Sequence, residues 1–163
     1  MKDSDTLDEE VALGIADAVM SGATLREIHG LSDTRMDDLY AFAYRFYEQG
    51  RLDDAGKLFH FLCIYDFHNS QYWTGLAAVH QLKQDYAKAI DLYSVALVQN
   101  EKDCRPMLFV GQCQLAQGKP GKARRCFDYI RRYSSDKQLH AQATACLQAL
   151  DQLRETSSEE QEE

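Results

Sequence analysis

Shifted against itself by 34 residues, the chain from Met36 onward matches twice without an insertion. Ala43 falls on Ala77 and Gly111, Ala55 on Ala89 and Ala123, and Phe59 on Tyr93 and Phe127. Leu39 becomes Trp73 and Met107, Phe42 becomes Leu76 and Val110, and Leu62 becomes Ala96 and Ile130. Within the first period, 36–69, apolar residues recur at helical spacing as Leu39, Phe42, Ala43 and Phe46. They pause at Gln49-Gly50-Arg51 and resume as Leu52, Ala55, Phe59, Leu62 and Cys63. Gly50 stands where the chain leaves the first helix, because glycine enters the left-handed region without a Cβ penalty. Gly118 repeats it two periods on, with Gln84 between them. The unit is a helix–turn–helix hairpin. Small residues let its helices approach closely, and the large aromatic fills the space beside them.

A 34-residue period with these residue types resembles the tetratricopeptide repeat. The resemblance implies an all-α fold: three tandem repeats (36–69, 70–103, 104–137) in a right-handed solenoid. A helical extension over 1–35 precedes them, a capping helix over 138–153 follows, and 154–163 form an acidic tail. In the extension, residues 1–6 are expected to be mobile, and Asp8 to Met20 form an amphipathic helix with Val11, Ile15, Ala18 and Val19 on one side. That face is buried either on the chain's own first repeat or in a homodimer contact through Val11, Ile15 and Val19, and the sequence leaves both open. Thr24 to His29 add a turn, and Ser32, Asp33 and Thr34 are all competent caps for the first repeat helix. Gly75 falls mid-helix, either tolerated or demanded by the close approach of a neighbour or ligand. Pro106 and Pro120 fall in first turns, where a missing N–H is harmless. Ser135 to Gln138 read as a capping box for the last helix, which carries Leu139, Ala143, Cys146, Leu147 and Leu150 on one face. The tail, TSSEEQEE at its end, has nothing to bury and is expected to be disordered.

Several classes of function are disfavoured. The formal net charge is −8, and the tail carries five acids and one base of it. Such a balance argues against a phosphate-backbone binder, which needs a basic face. No apolar run is long enough to span a membrane, and MKDSDTLDEE lacks the apolar core of a signal peptide. The five cysteines (63, 104, 113, 126, 146) include no C-x-x-C pair, which fits buried, reduced thiols and a cytoplasmic location. The histidines have no metal-ligand spacing, and there is no glycine-rich phosphate loop. The acid pairs Asp37-Asp38 and Asp53-Asp54 sit at helix starts, where they favour the positive end of the helix dipole. No catalytic residue, metal or cofactor is indicated. Lys119, Lys122, Arg124, Arg125, Arg131 and Arg132 make repeat three locally basic, either as a solvated outer face or as a patch for an acidic partner.

The informative constellation is aromatic. Tyr40, Tyr44 and Tyr47 form a second stripe on the first helix of repeat one, at spacings of four and three. First helices line the inner surface of such an array, and tyrosines there offer flat apolar area with a hydroxyl, suited to a peptide groove. The equivalent places are Thr74, Ala78 and Gln81 in repeat two, and Leu108, Gln112 and Leu115 in repeat three. The competing reading has the tyrosines packed on the N-terminal segment. Repeat domains that grip acidic chaperone tails use basic residues on this surface. Here Tyr40, Tyr44, Gly75 and Phe109 occupy those places and only Arg105 is basic, so a carboxylate clamp is not expected.

The wording of the repeats is more specific still. GATLREIHGLSDTRMDDLYAFAYRFYEQGRLDDA, LFHFLCIYDFHNSQYWTGLAAVHQLKQDYAKAIDLYSVAL and GQCQLAQGKPGKARRCF closely resemble the class II, tetratricopeptide chaperones of bacterial type III secretion systems, over about 8–150. The likeness is nearest to the invasion-type branch of enteric bacteria. The resemblance implies a cytosolic chaperone of hydrophobic translocator proteins, not an enzyme, holding a short extended client segment in its inner groove without ATP. By repeat position it places the groove at Tyr40, Tyr44, Tyr47, Ala78, Gln81, Leu108 and Gln112. It further implies homodimers through the N-terminal helix, and a co-regulator role with an AraC-type transcription activator as an alternative or additional partnership. It implies no DNA or membrane contact of the chain's own.

Overall fold

The computed structural model describes residues 11, 13–18 and 20–159, with side chains as far as residue 154. Every described residue between 11 and 20 is helical (α1). There follow α2 (Leu25–Ile28), α3 (Asp33–Glu48), α4 (Leu52–Tyr65), α5 (Ser70–Leu82), α6 (Tyr86–Gln99), α7 (Arg105–Ala116), α8 (Pro120–Tyr133) and α9 (Lys137–Glu159). No strand occurs among the described residues. From α3 onward each helix packs chiefly on its neighbours in sequence. The three hairpins α3–α4, α5–α6 and α7–α8 are the three periods, and α9 closes the last of them.

Local chemistry sets the boundaries. Thr24 and Glu27 form a reciprocal capping box around α2, its side-chain oxygen 3.3 Å from the Glu27 N–H and the Glu27 carboxylate 2.7 Å from the Thr24 N–H. Arg26 then ties this turn to the array through Asp33 at 2.6 Å and Asp66 at 3.7 Å. Of the three candidate caps for α3, Ser32 is used. At the start of α9 the cap is Asp136, one residue beyond the serine the sequence suggested: its Oδ1 accepts from the N–H groups of Gln138 and Leu139. An ionised carboxylate is the better acceptor at the positive end of a helix. α9 also continues to Glu159, past the expected boundary at Leu153, so 154–159 are helical rather than disordered. Residues 160–163, like the expected mobile residues 1–6, lie outside the described residues.

The core is built on rings seated against residues with little or no side chain. Ala43, Ala77, Ala89 and Ala123 are completely enclosed, and Phe59, Tyr93 and Phe127 are buried to within 1%. A Cβ placed on Gly111 would stand 2.4 Å from the Phe127 ring, and one on Gly75 would stand 2.3 Å from the Phe59 ring. Close approach by a neighbouring aromatic therefore explains Gly75. Phe42, expected in the core, is instead 48% exposed, with the Arg45 guanidinium 5.1 Å from its ring centre. Its equivalents Leu76 and Val110 are buried. They face the second helix of the preceding repeat, and repeat one has none before it.

The first-to-second helix turn repeats with the same backbone. Gly50, Gln84 and Gly118 have φ of 73°, 62° and 70°. For an L side chain this region costs roughly 1–2 kcal/mol. Replacing Gln84→Gly should therefore raise stability by about 1 kcal/mol, whereas Gly111→Ala should lower it by about 1–3 kcal/mol through overpacking against Phe127. Urea denaturation of the two variants checks both signs.

Cys63, Cys104 and Cys113 are buried, and all five cysteines are free thiols. Burial pushes Cys63 up to about 12 and Cys113 up to about 11. The folded state thus resists losing these protons, while in the unfolded chain they leave near pH 8.5. Their contribution is complete below about pH 8.5 and declines from there toward pH 11 to 12. Denaturation midpoints should hold between pH 7 and 8 and fall steadily above 9, with a smaller fall in a Cys63→Ala variant measured against its own value at pH 7.

Candidate functional site

Three helices converge on one groove of about 410 Å³. α3 supplies Tyr40, Tyr44 and Tyr47, so one stripe of the helix becomes one wall. The rings support one another: Tyr40 and Tyr44 stack at 6.5 Å between centres, and Tyr44 and Tyr47 lie 6.0 Å apart. Tyr40 also sets its edge on Phe59 at 5.9 Å and leans on Tyr72 at 5.7 Å. These contacts stay within repeat one or, through Tyr72, reach repeat two, and no ring contact links the three tyrosines to the described N-terminal segment. Tyr44 is the wall's open member, 48% exposed. Burial raises the phenol pKa of Tyr40 and of Tyr47, so both remain neutral donors through the physiological range.

α5 forms the base with Thr74, Gly75, Ala78 and Gln81, and the core rings Phe59 and Tyr93 reach up between the helices. The Thr74 hydroxyl is turned back to its own helix, donating to the Ser70 carbonyl at 2.9 Å. The polar groups that remain are amides. The Tyr93 hydroxyl donates to Gln81 Oε1 at 2.7 Å, and Gln81 Nε2 faces Gln112 Oε1 at 3.4 Å. Tyr93 is pushed far up by burial, so its hydroxyl is a fixed proton donor that orients Gln81. The far wall is α7, with Arg105, Phe109 and Gln112. Phe109 stacks on Tyr93 at 5.3 Å. Arg105 grips Asp103 in a fork at 2.8 and 2.7 Å, which lowers the Asp103 carboxyl below its usual range. The groove's only arginine is thereby neutralised, leaving a surface of aromatic rings and amides. Among the described residues no three His, Cys, Asp or Glu side chains converge as a metal site.

Six of the seven residues named from repeat position line this groove: Tyr40, Tyr44, Tyr47, Ala78, Gln81 and Gln112. Leu108 does not. It is 7% exposed and packs in a second core with Phe127, Leu139 and Leu147. The reason is geometric. The groove takes the flank of α3 that faces forward, the full inner face of α5, and the flank of α7 that faces back. Leu108 lies on the forward flank of α7, which α9 covers. The backward flank is marked instead by Arg105 and Phe109, the equivalents of Gln71 and Gly75. Phe59 and Tyr93 were legible only as core. Val11 and Ile15 are 54% and 43% exposed, so in the described part of α1 the apolar face is not buried on the first repeat. Val19 lies outside the described residues.

A helical array with this groove defines a class, the tetratricopeptide-repeat binding domains, and the repeat family's pattern matches 36–69 and 70–103. Within that class the chain is 50% identical over 155 residues to the chaperone protein SicA of Salmonella typhimurium, covering 95% of this chain and 94% of that one. It belongs to the SicA-like family of class II, tetratricopeptide type III secretion chaperones, which are not enzymes. Two solved structures carry the same fold. One is the Yersinia enterocolitica chaperone SycD in complex with a peptide of the translocator YopD, with a TM-score of 0.70 and 26% identity over 76% of this chain and 98% of that one. The other is PcrH in complex with the chaperone binding region of PopD, with a TM-score of 0.71 and 29% identity over 77% and 97%.

The Tyr93–Gln81 contact gives a test of the groove's internal order. Tyr93→Phe should cost about 1 kcal/mol, the net worth of one hydrogen bond, read as a lowered denaturation midpoint with unchanged helicity.

Proposed function

We propose that this chain keeps the hydrophobic translocators of a type III secretion system soluble by holding a short extended segment of each in the tyrosine groove. One observation carries the reading: an aromatic, uncharged trough crosses all three first helices, in the fold that binds a YopD peptide in SycD and a PopD region in PcrH. Crossing two gaps between helices of about 10 Å takes about six extended residues. Apolar client side chains enter the spaces beside Ala78 and Gly75, over the Phe59 and Tyr93 rings. Gln81 and Gln112 offer donors and acceptors to the client backbone and fix its direction. An uncharged trough also fits the client chemistry, since segments that later enter a membrane carry few charges. The work is done in the bacterial cytoplasm, where the translocators are made. The exposed Val11 and Ile15 support a homodimer contact through α1.

Co-expression with the two translocators of its own secretion system, followed by affinity purification and light scattering, should give soluble complexes. Translocators left in the pellet would overturn the reading. Tyr44→Glu is the cleanest groove variant, because that side chain is half exposed and carries little of the core. It should weaken a client peptide by about tenfold or more in calorimetry with helicity intact. Unchanged affinity would remove the groove from the account.

A further inference from the structure

α5 has two working faces. The face turned away from the tyrosines borders a second groove of about 700 Å³, shared with α4 and α6. Its floor is apolar, with Ile64 half exposed beside Trp73 and Leu76. Its rim carries Lys57, His60, His80, Lys83 and Lys88 against one acid, Asp53. Lys83 already holds Asp53 at 2.7 Å, and His80 faces Asp85 at 3.3 Å. Lys57 also lowers the Asp53 carboxyl, behind Lys83, so two lysines share that one acid, and Lys88 makes no ion pair among the described residues. On a chain of net charge −8, this is a cationic rim around an uncovered apolar floor.

Gly56 leaves that floor open. The same place holds Ile90 and Arg124 one and two periods on. Unlike Gly75 and Gly111, Gly56 is not required by packing: a Cβ there meets only Val79 Cγ1 at 3.5 Å, an ordinary contact. A glycine inside a helix costs about 1 kcal/mol against alanine. Internal packing gives nothing back for that cost, whereas an occupant of the groove would.

We propose that this second groove docks an acidic amphipathic helix of a partner protein. Its apolar face lies on Ile64 and Trp73, and its acidic flank lies against Lys57 and Lys88. The two grooves lie on opposite faces of α5, so a partner here is held independently of any client among the tyrosines. The proposal does not rest on the chaperone reading.

The test uses the full chain and a labelled 18-residue synthetic helix with leucines along one face and glutamates elsewhere, read by fluorescence anisotropy. It should bind the wild type and lose about tenfold or more with Gly56→Leu and with the double variant Lys57→Glu/Lys88→Glu. The second variant keeps the test decisive where the first fails to fold. Tyr44→Glu should leave binding unchanged, and a lysine version of the helix should not bind. Equal binding to the blocked and charge-reversed variants, loss of binding in Tyr44→Glu, or no binding at all would overturn the proposal. So would light scattering in which the peptide splits a dimer of the chain, since the occupant would then be a second copy.

Discussion

Everything in this molecule depends on an aromatic ring seated where a neighbouring helix has almost no side chain. Phe127 lies over Gly111 and Phe59 over Gly75, each ring where a Cβ would overlap it. Burying such a ring is worth up to about 3 kcal/mol, and the missing Cβ lets the helices close around it. Tyr93 takes the same place in repeat two, with Phe109 stacked on it in place of a glycine. Gly111 belongs to the same repeat as its ring and Gly75 to the repeat after its ring, so the first contact closes a hairpin and the second joins one hairpin to the next.

The groove is a consequence of the same contact rather than an addition to it. Phe59 and Tyr93 are core residues on one side and floor residues on the other. A client lying there touches the rings that hold successive repeats together. That economy also explains why the floor is uncharged: an ionised group between those rings would have to be desolvated without a partner. Where charge does enter, at Arg105, it arrives already paired with Asp103.

What the sequence reveals follows from what periodicity can encode. Within one repeat the geometry is local, so the hairpins, the left-handed turn at Gly50 and Gly118, and the tyrosine stripe on α3 are all legible. Position within the array is not encoded by the period. Phe42 repeats Leu76 and Val110 yet stands at the open end, and Leu108 repeats Tyr40 yet lies beneath α9. Both misassignments come from treating three copies as equivalent when one has no predecessor and another is followed by a cap. A second loss is that a ring counted as core can still be seen from outside, as Phe59 and Tyr93 are. The apolar face of α1 shows the reverse: a pattern that reads as buried, with Val11 and Ile15 exposed among the described residues.

The central claim is that a client segment lies across the tyrosine face of α3, α5 and α7. Hydrogen–deuterium exchange of the chain with and without a bound translocator segment tests it most directly. The account predicts slowed exchange in α3, α5 and α7, with α8 and α9 little changed. Protection confined to α1 and α2, or spread evenly over the array, would contradict it.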